Sequence, residues 1–186
     1  MTNVIYDGQD RLIEWGDLTY TYTADGTLFS KTNTNTLDTS TYTYDAFGQL
    51  TGVDMPTCPD VGYIIDALGR RVGRTETGQS AQGYLYHGKR LVAELDNQNT
   101  LISRFAYGTQ GHVPDILVSG SVVYRLVTDQ LGSVHLVINT ATGEVAQQLT
   151  YDAWGKVLSD SNPGFQPFGG AATALPGGCM IRSPGL

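Results

Sequence analysis

The sequence predicts an all-β chain, with successive antiparallel hairpins laid side by side in one curved, twisted sheet. Three observations predict it. There are 22 threonines and 11 tyrosines, residues that suit a pleated, half-buried surface. Of the 18 acidic residues 14 are aspartate, which favours turns by bonding its own backbone. Bulky and polar side chains alternate over short runs that stop at Asp, Gly or Asn, and no segment shows a capped helical period.

The elements follow in order. TYTYTADGTL and STYTYDAFGQL each read as a strand, a turn and the start of a returning strand. GYLYHGKRLVAEL and VVYRLVTDQLGSVHLV repeat the arrangement further along. The polar stretch from Lys31 to Ser40 reads as a strand edge or extended loop, kept solvated by its Thr and Asn. Ser159–Gly164 is a cluster of turn residues that closes the last full repeat.

A repeated unit carries the pattern. Tyr44-Asp45-Ala46-Phe47-Gly48-Gln49-Leu50 matches Tyr151-Asp152-Ala153-Trp154-Gly155-Lys156-Val157, and matches Asp66-Ala67-Leu68-Gly69 with Ile65 in the tyrosine place. Looser copies are Asp129-Gln130-Leu131-Gly132 and Tyr22-Thr23-Ala24-Asp25-Gly26. The first, Tyr6-Asp7-Gly8-Gln9-Asp10, has Asp10 where glycine is expected. Aligned on Gly26, Gly48, Gly69, Gly132 and Gly155, the period is about 21 residues, enough for one hairpin of two strands. Between Gly69 and Gly132 the consensus fades, and His87-Gly88-Lys89 and Asp96-Asn97-Gln98-Asn99 read as worn turns. In each unit the Tyr leaves a strand, the Asp folds its carboxylate onto backbone amides, and the Gly supplies the positive φ that the turn needs. The residues assigned this structural role are Asp25, Gly26, Tyr44, Asp45, Gly48, Asp66, Gly69, Asp129, Gly132, Tyr151, Asp152 and Gly155. One hairpin cannot stand alone, so neighbours must pair edge to edge.

Several functions are disfavoured. The formal net charge of −7, with Lys only at positions 31, 89 and 156, argues against a nucleic-acid partner. Cys58 and Cys179 are distant and lack a CxxC, so neither a zinc site nor a disulfide framework is expected. His87, His112 and His135 are isolated from one another, and the turn aspartates are in slots that want Asp for backbone bonding. No catalytic, cofactor or metal site is therefore assigned, and the reading is non-enzymatic. No run approaches the roughly 20 apolar residues of a spanning helix, and MTNVIYDGQD does not read as a signal peptide.

YDAFGQL, DALGRRV, TDQLGSVHLVINTATGEV and YDAWGKVLSDSNPGFQPFG resemble YD repeats of the Rhs family, in particular its C-terminal core segment, over residues 6 to 169. The resemblance implies a strip of the spiral β-sheet that in this family closes into a hollow shell around a variable C-terminal toxin. After Pro167-Phe168-Gly169 the chain departs from the family pattern. The aspartyl self-cleavage segment of such cores has no counterpart in GAATALPGGCMIRSPGL, which reads as an irregular and frameshifted tail over 170–186. The expected function is a non-catalytic structural fragment of an Rhs-type shell, linked through the family to toxin delivery and contact-dependent competition. Its expected partners are the remainder of such a shell or an encapsulated toxin segment. The alternative is a carbohydrate- or cell-surface-binding module that presents Tyr and Trp to a glycan. Family members act outside or at the surface of the cell.

Overall fold

The computed structural model describes residues 3–79, 81–108 and 111–168, together with the backbone of 172–174 and 180–182. The strands are β1 (Val4–Tyr6), β2 (Leu12–Trp15), β3 (Leu18–Tyr22), β4 (Leu28–Asn33), β5 (Thr39–Tyr44), β6 (Leu50–Asp54), β7 (Val61–Ile65) and β8 (Arg71–Glu76). They continue with β9 (Gln82–His87), β10 (Arg90–Leu95), β11 (Leu101–Ala106), β12 (Ile116–Ser119), β13 (Val122–Thr128), β14 (Val134–Asn139), β15 (Val145–Tyr151) and β16 (Val157–Asp160). These sixteen strands form one open sheet whose order is the order of the sequence, with β1 and β16 at its ends. β17 (Ala172–Ala174) and β18 (Met180–Arg182) pair antiparallel with each other. The rest of the expected irregular tail at 170–186 lies outside the described residues, which contain no helix.

The chain divides into two compact units at Gly83/Tyr84. In the first, the ladder carries side chains of unlike character in one row: Tyr42 is opposite Val53, Val53 opposite Val61, and Val61 opposite Glu76. Val53 and Val61 are buried, and the Arg71 guanidinium lies 3.8 Å from the centroid of the Tyr63 ring. Arg74 and Glu76 pair at 2.6 Å with both side chains largely withdrawn from solvent, so removing either would strand a charge. Cross-strand hydroxyl pairs such as Thr21 with Ser30 and Thr32 with Thr39, at 2.6 and 2.8 Å, account for part of the threonine content.

The second unit has the apolar core: Phe105, Val113, Leu117, Leu126, Val134, Val137 and Leu149. It is closed by the segment after β16. Gln147 Nε2 donates to both carboxylate oxygens of Asp160, at 2.9 and 3.1 Å, and to the Asn162 carbonyl at 3.0 Å. Beyond this anchor the chain turns back, and Phe165 and Phe168 meet Tyr124 and Phe105 edge-on at 5.1 and 4.9 Å. Ser159–Gly164 thus begins a strap over the core.

Candidate functional site

The repeated turn is the unit from which any function is assembled. At Asp45 the backbone N–H donates to the Gln49 carbonyl and the carbonyl accepts the Gly48 N–H, at 3.0 and 3.1 Å. Asp45 Oδ1 accepts the N–H groups of Phe47 and Gln49 at 2.8 and 2.9 Å. Asp66, Asp129 and Asp152 do the same for Leu68 and Arg70, Leu131 and Ser133, and Trp154 and Lys156. Gly48, Gly69, Gly132 and Gly155 have φ of 76°, 75°, 94° and 77°, the left-handed region that closes a type I turn with a bulge. The bulge itself falls at the tyrosine place: register shifts occur at Tyr22, Tyr44, Ile65, Thr128 and Tyr151.

Two worn copies keep this geometry in full. Asp7 binds the N–H groups of Gln9 and Arg11, and Asp96 those of Gln98 and Thr100. Asp10 and Asn99 occupy the glycine place at φ of 60° and 61°, which these two residue types tolerate. One assigned residue is displaced. Gly26 has the expected positive φ of 90°, but Asp25 sits in the slot that Phe47 fills elsewhere, and Thr23 takes the aspartate role through Oγ1, which accepts the Thr27 N–H at 3.0 Å. Asp25 instead receives the hydroxyls of Thr23 and Thr27.

The carboxylates are held by these bonds. Asp66 is lowered below the ordinary aspartate range by the Arg70 side chain first, which forks onto Oδ2 through Nε at 2.7 Å and Nη2 at 2.6 Å. Asp7 is lowered chiefly by the Arg11 backbone N–H, and Asp129 chiefly by that of Ser133. His135 stands 3.5 Å from Asp129 and edge-on to Tyr151. His112 lies against Gly132, where a Cβ would come within 2.6 Å of its Nε2. Among the described residues no three His, Cys, Asp or Glu converge as a metal site, and no helix is long and apolar enough to cross a membrane.

Neighbouring hairpins are joined by tyrosine hydroxyls. Tyr22 donates to the Leu12 carbonyl and Tyr151 to that of Val134, at 2.8 and 2.7 Å, each reaching from the end of one hairpin's first strand to the start of the preceding hairpin's second. Tyr107, which the sequence reading did not place in the repeat, donates to Leu91 at 2.8 Å in the same manner. Its position 21 residues before Thr128 was the available signal. The Gly88-Lys89 turn and the loop after Tyr107 therefore carry the period across the faded stretch. Within the second unit the Asp96 turn lies at the opposite strand ends from those of Asp129 and Asp152, since antiparallel strands alternate and β10–β11 is one strand out of phase.

Residues 1–174 match the family described as Teneurin YD-shell. The chain belongs to this YD-shell family. Similar proteins include mouse Teneurin-3, 29% identical over 171 residues that span 89% of this chain and 6% of the relative. Another is the double-stranded DNA deaminase toxin A of Burkholderia cenocepacia, 27% identical over 178 residues, 80% of this chain and 12% of the relative. The YD-shell segment thus spans a small fraction of the relatives it matches. The fold is similar to that in the crystal structure of TcdB2-TccC3, with TM-score 0.51 and 16% identity over 86% of this chain and 11% of that one.

Proposed function

We propose that this chain is a non-catalytic wall segment of an Rhs-type shell, whose sheet helps to enclose a toxin segment and so serves its delivery in contact-dependent competition. The observation that supports the reading best is the uninterrupted sequential order of sixteen antiparallel strands, in which YD turns punctuate successive hairpins and tyrosine hydroxyls join several of them. Such a sheet gains area by adding hairpins, which suits enclosure. Membership of the YD-shell family and a bacterial relative named as a toxin agree with it.

Two measurements test the reading. Intact mass of the purified chain, followed over days, should stay constant; a specific cleavage would show that it is catalytic. In the longest natural protein that carries these repeats, limited proteolysis should leave an enclosed segment intact while exposed loops are cut. Digestion of that segment at the rate of the free peptide would remove enclosure as the function.

A further inference from the structure

The segment after β16 is held in two different ways, and the change falls at Gly164. On the near side the chain is pinned to β15. The Ser161 N–H donates to the Gln148 carbonyl at 3.0 Å, and Ser161 Oγ accepts the Gln148 N–H at 2.8 Å. Asn162 Nδ2 donates to the Ala146 carbonyl at 3.1 Å, and the Asn162 carbonyl accepts Gln147 Nε2. On the far side, among the described residues, no hydrogen bond of residues 165–168 reaches a strand. The Phe165 N–H donates to the Asn162 carbonyl at 3.2 Å and the Phe168 N–H to Gln166 Oε1, both within the strap. What seats this half is ring contact, Phe165 on Tyr124 and Phe168 on Phe105, against the core that includes Leu117, Leu126 and Val137.

The seated half also carries a polar defect. Gln166 is buried between the two rings with its Nε2 unpartnered, and Gln147 Oε1, on the strand that anchors the strap, is buried without a partner as well. Because Gln166 belongs to the strap, lifting residues 165–168 returns its amide to water. Closure is therefore favoured by the rings and opposed by the desolvated amide, so the two states lie close in free energy. A pivot is present. Gly164 holds φ at 82°, a value that glycine adopts without strain, and a Cβ there would meet nothing within 4 Å. Pro163 and Pro167 fix φ on either side of the ring-bearing stretch, so that it moves as one piece.

We infer that residues 165–168 are a lid, hinged at Gly164, that leaves the core face of the second unit while the sheet stays folded. The seat it uncovers takes a peptide with two aromatic residues three positions apart, since that is the spacing at which Phe165 and Phe168 meet Tyr124 and Phe105. The strap is thus a competitor, built into the chain, for its own binding face. The inference concerns the second unit alone and holds or fails independently of any enclosed cargo.

A peptide of residues 161–168, titrated to about 5 mM into the nitrogen-labelled full chain and followed by NMR, tests this. In a variant carrying Phe165→Ala and Phe168→Ala the strap has lost both rings. The peptide should bind that variant saturably, move the amide signals of Phe105 and Tyr124, and bind roughly ten times more tightly than it binds the wild type. The same peptide with both phenylalanines changed to alanine should not bind. No binding to the variant, or equal binding to variant and wild type, overturns the inference. Should the variant not fold, hydrogen exchange of the wild-type chain decides. The Phe165 and Phe168 amides should exchange about tenfold or more slower than in the free peptide, and about tenfold or more faster than the amides of β14. Exchange at the rate of the free peptide, or in step with β14, overturns the inference.

Discussion

The Tyr151 hydroxyl donates to the Val134 carbonyl at 2.7 Å across 17 residues, tying one hairpin to the one before it. Burial pushes the Tyr151 phenol up to about 12, so the donor keeps its proton throughout the physiological range. Tyr151→Phe should lower stability by about 1 kcal/mol, because the Val134 carbonyl loses a partner while the ring still packs. Urea denaturation measures this, and Tyr107→Phe should behave alike, since its phenol is also pushed up to about 12 by burial. If either substitution were neutral, the hydroxyl would contribute nothing to the joining of hairpins.

Acid should weaken the turns. The Asp7, Asp66 and Asp129 carboxyls are held below the ordinary 3.8 by their hydrogen bonds. A carboxyl lowered in the folded state gives stability that is complete above its unfolded value and is lost as pH falls through the folded one. Melting temperature should therefore fall steeply below about pH 4. Asp66→Asn, which keeps an acceptor for the backbone but loses the Arg70 pair, should flatten part of that acid limb.

Glu94 sets the other limb. It is buried on β10 opposite Ser103 on β11, and burial pushes its carboxyl up to about 7, with the Ser103 hydrogen bond only partly opposing the rise. Here the sign reverses. The folded chain binds a proton more tightly than the unfolded one, so stability is greatest below pH 4.5 on this account and declines as pH rises to about 7. Together with the aspartates this places the optimum between the ordinary aspartate value of 3.8 and the ordinary glutamate value of 4.5. Glu94→Gln should remove the alkaline decline and stabilise the chain at pH 8 by on the order of 2–3 kcal/mol. A wild-type melting temperature that is flat from pH 5 to 8 would show Glu94 to be solvated.

The hairpins were legible because turn chemistry is local: Asp45 and Gly48 satisfy their turn within five residues, whatever lies beyond. Where one residue type substitutes for another the signal blurs. Thr23 does the work of an aspartate with a hydroxyl, which let Asp25 stand in for it on paper, and Asn99 does the work of a glycine, which made the Asp96 turn look worn. Tyr107 kept its hydrogen bond after its turn had lost the Asp, and Gly111 holds the glycine place without the positive φ, so spacing alone marked the pair. The strap was illegible for a different reason. Phe165 and Phe168 are placed by rings on β11 and β13, and a turn cluster at 159–164 says that the strand stops without saying where the chain goes next.

The turns between hairpins hold a matched pair that isolates backbone strain. Asn33 Oδ1 accepts the N–H groups of Asn35 and Thr36 at 2.9 and 3.3 Å, and Asn139 Oδ1 those of Ala141 and Thr142 at 2.9 and 3.4 Å. Leu37 and Gly143 then each donate back to their asparagine carbonyl at 2.8 Å. The two turns differ where φ is positive: Leu37 at 63° and Gly143 at 75°. A leucine there pays roughly 1–2 kcal/mol in Cβ crowding, whereas glycine does not. Leu37 is also exposed, so its removal forfeits little packing. Against this, glycine loses about 0.5–1 kcal/mol more chain entropy on folding, so Leu37→Gly should stabilise by up to about 1 kcal/mol. Gly143→Leu should destabilise by a similar amount. Chemical denaturation of the two variants checks both signs at once, and a destabilised Leu37→Gly would mean that the leucine side chain has a partner outside this turn.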